Sequence, residues 1–203
     1  DNVGNVTNAV SLLELLGINA SEIVVDENKP GITENSGFKE DLLDSGKKWY
    51  LKKPTLVYAI SDDNLLGVTI NVNGKDYVQS LSDTGLYTVD LSTVGDGDVS
   101  VKVTVEDKSG NTASETYTFY LDTKSPTNLK ATIKDAYEEH DGVIYFKKSP
   151  EVSLSAEDSG VGVGRFVIND KEISGNTFSV SDGSYTVAVK DKLGNQSSNA
   201  FLP

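Results

Sequence analysis

The chain has 203 residues, 37% of them apolar, and carries 31 acidic against 18 basic side chains for a net charge of −13. Such acidity disfavours nucleic acid and anionic membrane surfaces, whose phosphates need Lys and Arg, and permits cation binding. There is no Cys and no Met, so neither disulfide nor thiol chemistry enters, and the apolar content suits small β units better than one large core.

The chain opens on Asp1-Asn2-Val3-Gly4-Asn5 and continues through Val6-Thr7-Asn8-Ala9-Val10. This reads as the last hairpin turn and strand of a preceding unit, and the chain as a piece of something longer. Ser11-Leu12-Leu13-Glu14-Leu15-Leu16-Gly17 follows. Helix formers that stop at Gly predict a short helical turn. Residues 1–25 thus form the end of one repeat plus a Leu-rich insert. Two fuller units, 26–122 and 123–203, come after it.

Each unit opens alike, with Asp26-Glu27-Asn28-Lys29-Pro30 and then Asp122-Thr123-Lys124-Ser125-Pro126. A Pro at a unit entrance stiffens the linker and restricts the residue before it. Trp49-Tyr50 aligns with Ile144-Tyr145. Leu56, Tyr58 and Ile60 match Val152, Leu154 and Ala156 as the inward face of one strand. Ile70 and Val72 match Phe166 and Ile168, each pair followed by a turn, Asn73-Gly74 or Asn169-Asp170. Asn-Gly between alternating strands is a strong hairpin signal, because both residues tolerate positive φ. Leu86–Val89 matches Thr177–Val180 more loosely. Each unit then reaches an alternating strand and the motif Asp-x-x-Gly-Asn, at 107–111 and again at 191–195.

About seven short strands per unit, with turns every 8–12 residues, is the pattern of an immunoglobulin-like sandwich. The predicted class is therefore all-β, tandem immunoglobulin-like β-sandwiches. The Asp-x-x-Gly-Asn turn, the alternating strand after it and Asp-Thr-Lys-Ser-Pro resemble the tandem bacterial Ig-like repeats of large cell-surface proteins and adhesins. That resemblance implies an extracellular or cell-surface rod, built of neighbouring repeats of one chain, that holds a binding tip away from the cell. It leaves a host protein or glycan as a partner, with no nucleic acid and no membrane insertion. It also implies that Ca²⁺ is bound at domain junctions in some members.

The candidate ligands follow from topology. In such a sandwich the entry linker, the loop after the second strand and the last hairpin turn meet at one pole. These bring Asp26, Asp62, Asp63 and Asp107 together in the first unit, and Asp122, Asp158 and Asp191 in the second. Ca²⁺ takes six to eight oxygens, mostly carboxylate and carbonyl. The same Asp residues also suit turns, where a carboxylate caps its own backbone amides.

The other candidates point away from catalysis. His140 is the only His, placed in a polar loop without a partner for a triad or a zinc site. Trp49, the only Trp, is expected in packing rather than on a sugar-stacking platform, and Tyr50 and Tyr145 are expected to be structural. Gly160–Gly164 reads as a loop or bulge. No enzyme is expected. The leading function is a stalk or adhesion segment. The alternative is an accessory carbohydrate- or protein-binding module of a secreted enzyme, which would show a private cluster of exposed aromatics in one unit. Neither unit is expected to carry one.

Overall fold

The computed structural model describes residues 11–19, 23–79, 84–181 and 183–202. The expected strand over 6–10 lies outside them. The helical turn is α1 (Leu12–Leu15), capped by Ser11, whose Oγ accepts the Glu14 amide at 3.1 Å. Leu12 and Leu15 of this turn are exposed, and Leu13 is half-buried.

The strands before Asp122 are β1 (Gly31–Ser36), β2 (Leu42–Asp44), β3 (Lys47–Tyr50), β4 (Val57–Ser61), β5 (Leu65–Val72), β6 (Lys75–Gln79), β7 (Gly85–Thr88), β8 (Gly97–Asp107) and β9 (Thr112–Leu121). After it come β10 (Thr127–Ile133), β11 (Glu138–His140), β12 (Val143–Tyr145), β13 (Glu151–Glu157), β14 (Val163–Ile168), β15 (Lys171–Glu172), β16 (Thr177–Ser179), β17 (Tyr185–Asp191) and β18 (Ala200–Leu202). Among the described residues no sheet contains strands from both sets. The small hairpins β2–β3 and β11–β12 are the additions to a seven-strand pattern.

In the first set, β1-β4-β7 forms one sheet and β2-β3-β9-β8-β5-β6 the other. Strict alternation on β8 buries Val99, Val101, Val103 and Val105 on one face. They meet Tyr58 and Ile60 of the opposite sheet and Leu56 just before β4, with Ile70, Tyr117 and Phe119, in one apolar core. In the second set, β10-β13-β16 faces β15-β14-β17-β18. Its core is smaller: Val152, Leu154, Phe166, Ile168, Val187 and Val189. These are two immunoglobulin-like β-sandwiches in tandem. The period-2 pattern creates both, because burying alternate side chains leaves each strand a polar outer face.

The turns behave as their residues require. Asn73 and Gly74 sit at φ 50° and 82°, and Asn169 and Asp170 at 47° and 63°. Both pairs close two-residue hairpins, β5–β6 and β14–β15. The Gly-rich stretch enters β14 through a bulge between Val163 and Arg165, and β5 has one between Leu65 and Gly67.

Two expectations are corrected. The registers Leu42↔Trp49 and Glu138↔Tyr145 make the hairpins superpose at the interval separating Pro30 from Pro126. Tyr145, not Ile144, therefore occupies the place of Trp49, and Phe146 that of Tyr50. His140 lies in β11 rather than in a loop, with its ring 5.9 Å from that of Tyr145.

Candidate acidic poles

The only buried charged side chains among the described residues are Asp107, Asp122 and Asp191. Burying a carboxylate is costly unless hydrogen bonds replace its water. Two of the three are the first residue of the Asp-x-x-Gly-Asn turn, and that turn supplies the bonds. Oδ1 of Asp107 accepts the amides of Ser109 at 2.8 Å and Asn111 at 2.9 Å, and Oδ2 accepts the Asn111 side-chain amide at 2.8 Å. Asp191 repeats the arrangement with Gly194, Asn195 and the Asn195 side chain at 2.6, 2.8 and 2.7 Å.

Each turn then reaches the linker. Asn111 Nδ2 donates to the main-chain oxygen of Asp26 at 2.9 Å, and Asn195 Nδ2 to that of Asp122 at 3.1 Å. The loop after the second long strand completes each set. Asp62 Oδ1 accepts the Asn64 amide at 2.7 Å, and Asn64 Nδ2 donates to Asp26 Oδ2 at 2.8 Å. Asp158 Oδ1 accepts the amides of Gly160 and Gly162 at 2.9 and 2.8 Å. Asp122 Oδ2 takes the amide of Val161 at 2.8 Å. Gly160 is required there, since a Cβ would overlap the Asp122 carboxylate.

The outcome is two triads. Carboxylate oxygens of Asp26, Asp62 and Asp107 lie within 4.8 Å of one another, and so do those of Asp122, Asp158 and Asp191. Asp63 is not in the cluster and is exposed. Among the described residues no Lys or Arg forms an ion pair with any of the six. The donor set is all oxygen, which fits a hard cation and no soft one. Sequence reasoning missed Asn64 and gave Asn111 and Asn195 only a turn role. The spacing of each Asn after its Asp was visible, but its reach to the linker was not.

The electrostatics of the poles differ. Burial pushes the Asp107 carboxyl up, but the side-chain and backbone bonds from Asn111 and the amides of Ser109 and Gly110 outweigh it. Its pKa is held below the usual carboxylate value. Burial also raises Asp122, where the charges of Asp158 and Asp191 add to it against the amides of Val161 and Lys124, and there the upward effects win.

The linker between the sandwiches is pinned on both sides. Asp96 Oδ1 accepts from Thr123 N and Oγ1 at 3.2 and 2.9 Å, and Ser125 Oγ donates to the Gln196 carbonyl at 2.8 Å. Trp49 is buried against Tyr120, ring centres 4.9 Å apart, as a packing role requires. Tyr50 is buried as well, whereas Tyr145 is 54% exposed. With Tyr137 also 54% exposed and the Phe146 ring 5.8 Å from it, the second sandwich does carry a private aromatic group. The expectation that neither would is overturned, because β12 is not covered as β3 is.

Among the described residues no helix is long and apolar enough to cross a membrane. No curated protein matches the chain. Among solved structures, it is similar to Clostridium thermocellum CbhA fibronectin(III)-like modules at 12% identity and TM-score 0.33, over 84% of this chain and 91% of that one. It is also similar to Bacteroides ovatus mixed-linkage glucan utilization locus SGBP-B in complex with a mixed-linkage heptasaccharide. That likeness is at 13% identity and TM-score 0.32, over 88% of this chain and 69% of the other. A family model described as bacterial Ig-like domain matches residues 44–123, within the first sandwich and its linker, and this part of the chain is similar to that family.

Proposed function

We propose that this chain is a non-catalytic spacer segment of an extracellular bacterial protein. Its units run 26–122 and 123–203, and Ca²⁺ stiffens their poles. The observation that supports this best is the repeated carboxylate triad, assembled from linker, loop and turn in both units. Asp122 belongs to both neighbours: its amide donates to Tyr50 of the first sandwich at 3.1 Å, and its carboxylate sits in the triad of the second. A cation held by Asp122, Asp158 and Asp191 would offset their mutual repulsion. Asp26, Asp62 and Asp107 would hold the other. The amides of Asn111 and Asn195 orient the buried carboxylates and tie each turn to its linker.

Thermal unfolding in EDTA and then in millimolar Ca²⁺ tests this. A ligand bound only by the folded state adds about 2.7 kcal/mol at a hundredfold excess over its dissociation constant. A rise of several degrees, lost in Asp158→Ala for the second unit, supports the proposal. Superimposed melts leave the carboxylates as turn formers only.

The exposed aromatics of β11–β12 favour a second reading, an accessory binding module. Titration with soluble β-glucan oligosaccharides tests it, since glycan contact would quench or shift the Tyr137 and Tyr145 signals.

A further inference from the structure

Beside the Asp191 turn the two sandwiches leave a cleft of about 710 Å³. Small-molecule sites are of this size and favour domain junctions. One wall is β2, with Leu42 and Asp44. The other is built by β14, the β15–β16 loop and the turn after β17.

Its charges run against those of the chain as a whole. Arg165 is the only Arg in a molecule of net charge −13, and it lines this cleft. Lys190 stands opposite it across β14 and β17, and Lys192 follows in the turn. Glu172 meets the first two, with Lys190 Nζ at 2.8 Å and Arg165 Nε at 3.7 Å. Asp44, in the other sandwich, meets the third, 2.8 Å from Lys192 Nζ. Asp191 also borders the cleft, but its carboxylate is held within its own turn. Three cations thus face two carboxylates, both already paired. Arg165 is the least committed of them. Its side chain is 63% exposed, and among the described residues its guanidinium makes no hydrogen bond. A guanidinium carries five N–H donors in a planar fork that matches a carboxylate. Half-buried Leu42, Ile173 and Leu193 supply apolar lining beside the charges. Asn176 donates Nδ2 to the Leu154 carbonyl at 3.0 Å, which leaves its Oδ1 as an acceptor.

We propose that this cleft binds an acidic sugar, a uronic acid unit of a glycan. A cationic fork, an apolar lining and a neutral acceptor in one cleft match a sugar ring that carries a carboxylate. Arg165 takes the carboxylate in a two-bond fork, with Lys190 and Lys192 beside it. Leu42, Ile173 and Leu193 meet the C–H face of the ring, and Asn176 Oδ1 accepts from a hydroxyl. The negative charge of the chain does not forbid this, because salt screens charges beyond about 8 Å at physiological ionic strength. The site draws on both sandwiches, is separate from the aromatics of β11–β12, and is independent of Ca²⁺.

The test titrates the metal-stripped, isotopically labelled 203-residue chain with a glucuronic acid disaccharide and with its carboxyl-reduced form. Saturable amide shifts at 42–44, 164–166, 172–176 and 190–194 are expected from the acid alone. Arg165→Gln should weaken binding about tenfold or more. Arg165→Lys keeps the charge without the fork and should recover only part of the loss. Both variants change an exposed side chain, so both cores should melt as before. Lys130→Gln removes an exposed charge outside the cleft and should bind as wild type does. Equal shifts from the reduced sugar, or from acetate at the same concentration, would overturn the proposal. So would no shift at millimolar sugar, or shifts confined to 138–146, where the glycan would sit on the β11–β12 aromatics instead.

Discussion

The side-chain amide of Asn195 lies 3.1 Å from the main-chain oxygen of Asp122, a residue 73 positions earlier. Asn111 makes the same bond to Asp26 across 85 positions at 2.9 Å. One amide therefore holds the first carboxylate of a turn and the linker that enters the unit.

Asn195→Ala should release both ends. The Asp122 carbonyl and Asp191 Oδ2 each lose a donor in a buried setting, which costs about 1–3 kcal/mol. For a unit of this size about 1 kcal/mol corresponds to a shift of roughly 4–8 °C. Thermal melts should show the loss in the second sandwich, with the first unchanged, and Asn111→Ala should reverse that assignment.

Gly160→Ala places a methyl group on the Asp122 carboxylate. The loop must move away, and Val161 loses its bond to Asp122. Overpacking of this sort costs about 1–3 kcal/mol. Urea unfolding would read it, and Gly162→Ala would be a poor control because Gly162 has φ of 94°. Ser159→Ala is the better one, since it changes the same loop without filling that space.

Tyr58 has the opposite sign. Its hydroxyl is buried in the first core without a hydrogen-bond partner, and burial drives its pKa far up. Tyr58→Phe removes an unpaired polar group and keeps the ring that Phe38 packs against at 4.9 Å. Stability should rise by about 1 kcal/mol. A lower denaturation midpoint would contradict this.

The poles should answer acid in opposite directions. The folded-state pKa of Asp107 is lowered, so its contribution is present above the unfolded carboxylate pKa and is lost as pH falls through the folded value. The folded-state pKa of Asp122 is raised, so its penalty is full above the folded value and is relieved as pH falls toward the unfolded one. Urea titrations across the carboxylate range separate the two. The advantage of wild type over Asp107→Asn should shrink on acidification, while its standing relative to Asp122→Asn should improve.

Alternation made the strands readable. Val99 to Val105 and Val187 to Val189 show their buried faces in single-letter form, and Asn73-Gly74 its hairpin. The convergence of three Asp on one pole was readable too, once the sandwich was assumed, because it depends on which loops share an end. Asp63 was over-included: neighbouring residues of a turn point apart, and only one reaches the pole. The exposed hairpin was not readable. Tyr50 and Phe146 look alike in sequence, and what separates them is a long-range pairing, β3 with β9, that β12 lacks among the described residues. The one-residue slip at Trp49 has a similar origin, since Tyr145 and Ile144 are both apolar and only the hairpin register decides between them.

The central claim is most directly tested by counting Ca²⁺. Calorimetric titration of the metal-stripped chain should give two sites, one of which disappears in Asp62→Asn and the other in Asp158→Asn. These two carboxylates are chosen because they are only partly buried, so their loss leaves the cores intact. Absence of heat and of bound Ca²⁺ at millimolar concentration, with both variants folded, would contradict the account and leave the triads as hydrogen-bonded turns alone.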